Sequence, residues 1–130
     1  MIEQNTTNFS SLPPIVAVDF DGTLVHDEFP EIGSERSTMC EAIKRLQSIG
    51  IKTILWTSRT GKLLEDAVNW CEDNGFTFTK INENIDEVQE LTGLDTRKVY
   101  ANVYIDDKNF PAEGSLVREK INRMCTWLGK

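Results

Sequence analysis

The chain has 130 residues, of which 39% are hydrophobic and 27% charged, and its formal net charge is −7 at neutral pH. This length suits one domain, and the balance is that of an ordinary globular protein. An acidic chain binds nucleic acid and anionic membranes poorly, and no apolar run approaches the ~20 residues that span a bilayer. We therefore expect a cytoplasmic protein with a small-molecule partner, and neither a membrane nor a nucleic acid as its ligand.

Two features of the chain predict its domain organisation and its redox state. Residues 1–14 are polar and lack the basic and apolar regions of a signal peptide, so we expect a leader followed by a single domain over residues 15–130. The three cysteines, Cys40, Cys71 and Cys125, are far apart and form no Cys-x-x-Cys pair. We expect buried, reduced thiols, as is typical of cytosolic proteins.

Hydrophobic periodicity predicts strands and helices in alternation. In chain order, the pattern predicts a strand at 15–18, a loop or small hairpin at 24–33, a helix at 34–49, a strand at 51–56, a helix at 62–74, a strand at 76–79, a helix at 83–91, a strand at 100–105 and a helix at 115–128. Gly50 and Gly75 end two of the helices. The alternation favours right-handed crossovers, and hence a three-layer, Rossmann-like α/β fold with helices on both faces of a parallel sheet.

Polar residues follow three of the predicted strands. Residues 19–23 read DFDGT, residues 57–59 read TSR, and Asp106 and Asp107 follow the last strand, with Lys98 shortly before it. In open parallel sheets, ligands bind at the carboxyl ends of the strands. Four acids gathered there would repel one another, and a divalent cation with oxygen ligands removes that conflict. Mg²⁺ fits best, because no His or Cys cluster indicates zinc.

The same groups can carry out phosphoryl transfer. A carboxylate beside a metal can attack phosphorus and form an acyl phosphate. A second acid two residues further on can move the proton of the leaving oxygen or of water. A lysine and hydroxyl groups can hold the equatorial phosphate oxygens, and Gly22 lets the backbone turn sharply and bring its N–H groups towards an anion.

The order of these motifs resembles that of the haloacid dehalogenase superfamily. DFDGT after an apolar strand, the Thr that ends the second strand, an upstream lysine and the acidic pair in YIDD match its four motifs over residues 15 to about 110. The short form, with WTSR and YIDDK, looks like a group of small bacterial or phage hydrolases. The resemblance implies a magnesium-dependent phosphoester hydrolase that works through an aspartyl phosphate. It also implies the strand order third, second, first, fourth.

The resemblance further implies roles for the four acids. Asp19 would be the nucleophile and a ligand of Mg²⁺. Asp21 would be the general acid and base, with its backbone carbonyl as a further metal ligand. Asp107 stands where the superfamily's metal ligand usually falls, and Asp106 would bind the metal or support it.

A second group of residues would hold the phosphate. By resemblance, Thr57 binds the phosphoryl group, and the backbone N–H groups of Phe20 and Ser58 complete its cradle. The bridging lysine would be Lys98, which precedes the strand with the acidic pair, while Lys80 at the end of the third strand is the alternative.

Members of the superfamily often carry a cap domain after the first or the second motif. Residues 24–51 and 59–98 are too few to hold one here, so the resemblance implies a capless enzyme with an open site. Capless members tend to act on large substrates, or close the site with their own loops or by forming a homo-oligomer.

The candidate lid is the segment 25–32, and we expect His26, Phe29 and Arg59 to contact the leaving group. Two alternative functions remain open at this point. One is a non-catalytic protein that binds a phosphorylated ligand on the same scaffold, and the other is a nucleotidase or phosphotransferase of the same superfamily.

Overall fold

Strands and helices alternate along the chain as the sequence predicts. The computed structural model describes residues 9–108, 121–123 and 125–126. Its elements are a 3-10 turn at Phe9–Ser11, β1 (Ile15–Val18), β2 (Val25–Glu28), β3 (Glu31–Glu35), α1 (Ser37–Ser48), β4 (Lys52–Leu55), α2 (Gly61–Asp73), β5 (Lys80–Ile81), α3 (Asp86–Thr92) and β6 (Val103–Ile105). In this part of the chain no helix is long and apolar enough to cross a membrane.

A four-stranded parallel sheet in the order β5-β4-β1-β6 organises the described residues. The predicted strand order and the predicted α/β fold class are therefore confirmed. Strand β1 pairs with β4 on one side and with β6 on the other, for example at Val16, which lies opposite Thr53 and Val103. All four residues of β1 are buried, because both edges and both faces of this strand are covered.

Alternate residues of β1 face two separate cores. Val16 and Val18 pack with residues of α1 and α2 in a first core, whereas Ile15 and Ala17 pack with Val88 of α3 in a second core. The crossovers through α1 and α2 run in one direction along the sheet, and the crossover through α3 returns in the other. Right-handed connections then place α3 on the opposite face. The strand order reverses between β1 and β6, which is the switch point at which such sheets bind ligands.

The third strand differs from the prediction. The sequence FTFT at residues 76–79 alternates as a strand would, but the strand that pairs with β4 is Lys80–Ile81. Phe76 instead stacks on Phe78, with ring centroids 5.8 Å apart, and on Trp70, with ring centroids 6.0 Å apart. The alternation reflects aromatic packing against the first core, and the ladder begins only where the Thr79 N–H reaches Thr53.

The predicted loop or small hairpin is a two-stranded antiparallel hairpin made of β2 and β3. It extends to Glu35, so α1 begins at Ser37, three residues later than predicted. Gly33 allows the two strands to meet, because a Cβ there would lie 2.1 Å from the carbonyl oxygen of His26. Of the predicted helix at 115–128, residues 121–123, 125 and 126 are helical, and the remainder lies outside the described residues. Most of the leader, residues 1–8, also lies outside them.

Candidate functional site

A cavity of about 620 Å³ opens at the carboxyl edge of the sheet. Its walls come from the ends of β1, β4 and β6 and from the β2–β3 hairpin. The residues that line it are Asp19, Asp21, Asp27, Phe29, Trp56, Thr57, Ser58, Asp106, Asp107 and Lys108. The sequence-predicted acids and hydroxyls therefore meet in one place, as the carboxyl ends of neighbouring parallel strands must.

Three carboxylates converge at the centre of this cavity. Asp19, Asp106 and Asp107 each offer an oxygen, and these oxygens lie within 4.8 Å of one another. The Asp19 N–H donates to the carbonyl of Ile105 at 2.9 Å, so sheet pairing itself positions the nucleophile candidate beside the acidic pair. Burial, and then the negative charge of Asp106, raise the pKa of the Asp19 carboxyl from 3.8 to about 7, although a hydrogen bond from the Phe20 N–H opposes the shift.

The donor set fits a divalent cation. The Oδ1 atom of Asp107 is buried and has no hydrogen-bond partner among the described residues. A buried carboxylate oxygen without a partner is costly, and a cation is the ordinary remedy where other carboxylates are close. The ligands would all be oxygen atoms, which favours a hard cation such as Mg²⁺, Mn²⁺ or Ca²⁺ over zinc.

Gly22 is required for the packing of the DFDGT loop against Asp107. Its φ is +83°, and a Cβ at this position would lie 2.2 Å from the Oδ2 of Asp107. Any side chain would therefore displace the Asp107 carboxylate or the loop itself. The glycine serves the geometry of the acidic cluster as well as the turn.

Asp21 is not free in the cavity. It forms a bidentate ion pair with the guanidinium of Arg59, in which Nε donates to Oδ2 at 2.7 Å and Nη2 donates to Oδ1 at 2.8 Å. The Arg59 side chain is fully buried, and its hydrogen bond with Asp21 raises the pKa of the guanidinium further. Asp21, the predicted general acid and base, is therefore paired with Arg59, a partner that the sequence analysis did not assign to it.

The same arginine anchors the hairpin. Its Nη2 also donates to the carbonyl of Glu31 at 2.9 Å, and its Nη1 donates to the carbonyls of Pro30 at 3.2 Å and Leu63 at 3.3 Å. All five N–H groups of Arg59 therefore have acceptors. The guanidinium carbon lies 5.2 Å from the ring centroid of Phe20 and 5.1 Å from that of Phe29. The sequence predicted that Arg59 would contact a leaving group; the structure buries it beneath Phe29 instead.

The end of β4 brings hydroxyls to the cavity. Thr57 and Ser58 both line it, and the Thr57 Oγ1 accepts the Arg59 N–H at 3.1 Å. Among the hydrogen bonds of the described residues this hydroxyl acts only as an acceptor, which leaves its proton for a ligand. The backbone N–H of Thr57 donates to the Oδ1 of Asn82 at 2.8 Å. Asn82, with φ +56°, is a supporting residue that sequence analysis missed, because an asparagine after a strand is an ordinary turn signal.

The predicted phosphate-binding lysine is not brought to the cavity. Lys98 is exposed, and its Nζ lies 5.0 Å from the ring centroid of Tyr104. Lys80 does not line the cavity either, and its Nζ pairs with Asp86 at 3.0 Å. The structure therefore brings neither candidate lysine to the cavity, and the segment before β6 is instead tied to the residues after β5, as in the bond from the Tyr100 N–H to the Oδ1 of Asn84 at 2.6 Å.

Lys108 lines the cavity instead. Its Nζ lies 3.0 Å from the Oδ2 of Asp107 and 3.8 Å from the Oδ2 of Asp27 on the hairpin. The pairing with Asp107 raises the pKa of this lysine. Sequence analysis overlooked Lys108, although it directly follows the acidic pair in YIDDK.

Two further predicted residues lie at the margin of the site. The Phe20 side chain is buried in the first core, and only its backbone N–H reaches Asp19. His26 is exposed on β2 and does not line the cavity, so the structure does not bring it to the predicted leaving group. Phe29 does line the cavity, as expected, and its side chain is exposed.

Comparisons with known proteins complete the description. Neither protein-family models nor curated proteins give a match to the chain. Among solved structures, the chain is similar to a conserved protein coded by a locus of Bacteroides thetaiotaomicron, with a TM-score of 0.74 and 36% sequence identity. The similarity covers 87% of this chain and 93% of the other, so the two proteins share their fold over nearly their whole length.

Proposed function

We propose that this chain, which belongs to the same family as that conserved Bacteroides thetaiotaomicron protein, is a magnesium-dependent phosphoester hydrolase of the haloacid dehalogenase type. One observation carries the proposal. Asp19, Asp106 and Asp107 converge within 4.8 Å, with a buried, unpartnered Asp107 oxygen, in a cavity that also holds the Thr57 hydroxyl. Carboxylates, a hydroxyl and a lysine around one cavity are what phosphoryl transfer needs.

The three carboxylates would hold the metal ion. When bound, a divalent cation would neutralise the acids and polarise the oxygens of a substrate phosphate. The chain's own groups would hold the phosphate from the other sides. The Thr57 hydroxyl and Ser58 would donate to its equatorial oxygens, and the Lys108 ammonium would supply the fixed positive charge.

The first half of the reaction would transfer the phosphoryl group to Asp19. One carboxylate oxygen of Asp19 forms a bond to phosphorus while the bond from phosphorus to the leaving oxygen breaks, and that oxygen takes up a proton. In the second half, water attacks the phosphorus of the acyl phosphate and loses a proton to a base. Inorganic phosphate leaves, and the Asp19 carboxylate is restored.

Asp21 would be the base of the second half. Its carboxylate lies in the cavity, and the two hydrogen bonds from Arg59 fix its orientation. To accept a proton from water, it would use a lone pair that neither bond occupies. Both roles of Asp21 stay predictions, because in this geometry each of its oxygens already accepts a hydrogen bond from Arg59. The leaving oxygen would then take its proton from water or from Asp21 after it has moved off Arg59.

The same ion pair favours the second candidate function. If Asp21 never leaves Arg59 and activates no water, the cavity would bind a phosphorylated ligand without turning it over. The chain would then be a phospho-ligand binding protein on the same scaffold, and its metal and phosphate contacts would be unchanged.

Hydrolysis of p-nitrophenyl phosphate tests the proposal. We expect phosphate release by the wild type with Mg²⁺, none in the presence of EDTA, and a loss of roughly 10³-fold or more in Asp19→Asn. Asp73→Asn, an identical change at an exposed position of α2, should keep the wild-type rate. Equal rates for Asp19→Asn and the wild type would refute the nucleophile. Magnesium-dependent phosphate binding without turnover of a phosphoester panel would favour the binding protein.

A further inference from the structure

Two aromatic side chains stand in the wall of the acidic cavity. Phe29, next to the turn of the β2–β3 hairpin, is 55% exposed, and Trp56, directly after β4, is half-buried. Both line the same cavity as Asp19. A large apolar ring that is left exposed at a site of polar chemistry is a candidate contact for a ligand.

The Phe29 ring is held in place before any ligand arrives. It lies over the buried guanidinium of Arg59, at 5.1 Å from the ring centroid, and the next two residues, Pro30 and Glu31, have their carbonyls fixed by the same guanidinium. A ring that is already oriented loses little conformational entropy when a ligand stacks on it.

The two rings reach the cavity from opposite faces of the sheet. Phe29 contacts the Arg59 guanidinium, which in turn contacts Phe20 in the first core. Trp56 instead packs against the second core. The backbone N–H of Trp56 donates to the carbonyl of Val18 at 2.8 Å, so Trp56 lies next to Asp19 across the β1–β4 pair. Both rings therefore belong to the wall that a group attached to a phosphate at Asp19 would meet.

The charges of the wall restrict what that group can carry. Among the residues that the structure describes, five aspartates line the cavity and one lysine opposes them, and Arg59 already pairs with Asp21. A metal ion and Lys108 would be shared between the acids and one phosphate dianion. A second anionic group would then face Asp27 and the acidic pair with no further cation among the described residues of the wall.

We infer that the ligands of this cavity are phosphomonoesters whose leaving group is a planar aromatic moiety without a second anionic group, which stacks on Phe29 and Trp56. The inference rests on the proposed phosphohydrolase function and adds the substrate class to it. Stacking on an aromatic side chain contributes on the order of tenfold or more in affinity per ring.

Benzyl phosphate and cyclohexylmethyl phosphate form a matched pair for the test, because their alcohols are similar in size and in acidity and only one is aromatic. We expect the wild type, with Mg²⁺, to favour benzyl phosphate by about tenfold in kcat/KM. Phe29→Leu and Trp56→Leu should each remove most of that preference. Phe9→Leu, at a partly exposed phenylalanine that stacks on Tyr100 outside the cavity, should preserve it.

Calorimetry with benzylphosphonate and cyclohexylmethylphosphonate, which cannot be hydrolysed as esters, separates the two proposals. Turnover of both esters at equal efficiency would overturn the aromatic class and leave the hydrolase standing. Absence of turnover, together with tighter binding of benzylphosphonate that depends on Phe29 and Trp56, would overturn hydrolysis and support the aromatic class. Equal binding of the two phosphonates by the wild type would overturn the aromatic class without any need for a variant.

Discussion

Arg59 grips Asp21 with two parallel hydrogen bonds, from Nε to Oδ2 at 2.7 Å and from Nη2 to Oδ1 at 2.8 Å, and the arginine side chain is fully buried. The pair joins three parts of the chain that are distant in sequence. It links the loop after β1 to the loop after β4, and its remaining donors hold the turn of the hairpin. The shape of the cavity wall therefore depends on one guanidinium.

Truncation of this arginine should be severely destabilising. Arg59→Met leaves the Asp21 carboxylate and three carbonyls without their donors, and we expect a loss of about 3–5 kcal/mol in the free energy of unfolding. Arg59→Lys keeps the positive charge but cannot make the two parallel hydrogen bonds, so its stability should lie between those of the wild type and Arg59→Met. Urea denaturation measures both, with Arg45→Met on the exposed face of α1 as the control. An Arg59→Met protein as stable as Arg45→Met would contradict the anchoring role.

Gly22→Ala should damage the proposed metal site more than the fold. The new Cβ would meet the Asp107 carboxylate, and loss of the contacts that position a metal ligand typically lowers metal affinity by about 10–100-fold. The control is Gly50→Ala, where φ is also positive, at +91°, but nothing lies within 4 Å. Both variants bear backbone strain, and only Gly22→Ala should weaken Mg²⁺ binding in titration calorimetry. Equal Mg²⁺ affinities in the two variants would argue that Asp107 is not a ligand.

The stability of the metal-free protein should fall as the pH rises. Burial and neighbouring acids raise the pKa of Asp19 to about 7, so between about pH 4 and pH 7 the folded chain holds a proton that the unfolded chain has released. Asp19→Asn removes this penalty. We expect it to stabilise the metal-free protein at pH 8, by on the order of 1–2 kcal/mol after allowance for partial exposure, and to have little effect near pH 4.

Urea denaturation in EDTA at the two pH values measures this difference. Asp73→Asn at the exposed end of α2 should show no gain that depends on pH. A metal-free Asp19→Asn protein that is less stable than the wild type at pH 8 would show that the acids do not repel one another as the geometry indicates.

The lysine that binds phosphate should be Lys108. Lys108→Gln removes the ammonium that lines the cavity, and we expect phosphate binding in the presence of Mg²⁺ to weaken by roughly tenfold, as for the loss of a charge-assisted hydrogen bond. Lys98→Gln is the matched control, because its ammonium lies over Tyr104. A larger effect from Lys98→Gln would restore the assignment that the resemblance implies.

Much of the candidate site could be predicted because residue chemistry and burial periodicity are local properties of the sequence, whereas the strand order was implied by the resemblance to the superfamily. The buried run before Asp19 indicates a central strand, and carboxyl ends of parallel strands meet, so Asp19, Thr57 and Asp106 were expected together. The strand at 76–79 was predicted wrongly for a related reason. Period-two alternation appears in a strand and equally in Phe76 and Phe78 when both pack on one aromatic stack.

The sequence by itself determined the layered α/β architecture, the central strand and the acids that it delivers, because burial periodicity and residue chemistry are written along the chain. Only the tertiary structure decided which cations serve those acids. Arg59 binds Asp21 across 38 positions of the sequence, and Lys108, not Lys98, lines the cavity. The partner of a charged side chain depends on how distant loops pack, and sequence spacing does not give that packing. The same packing, by stacking Phe29 on Arg59, placed an aromatic ring at the cavity.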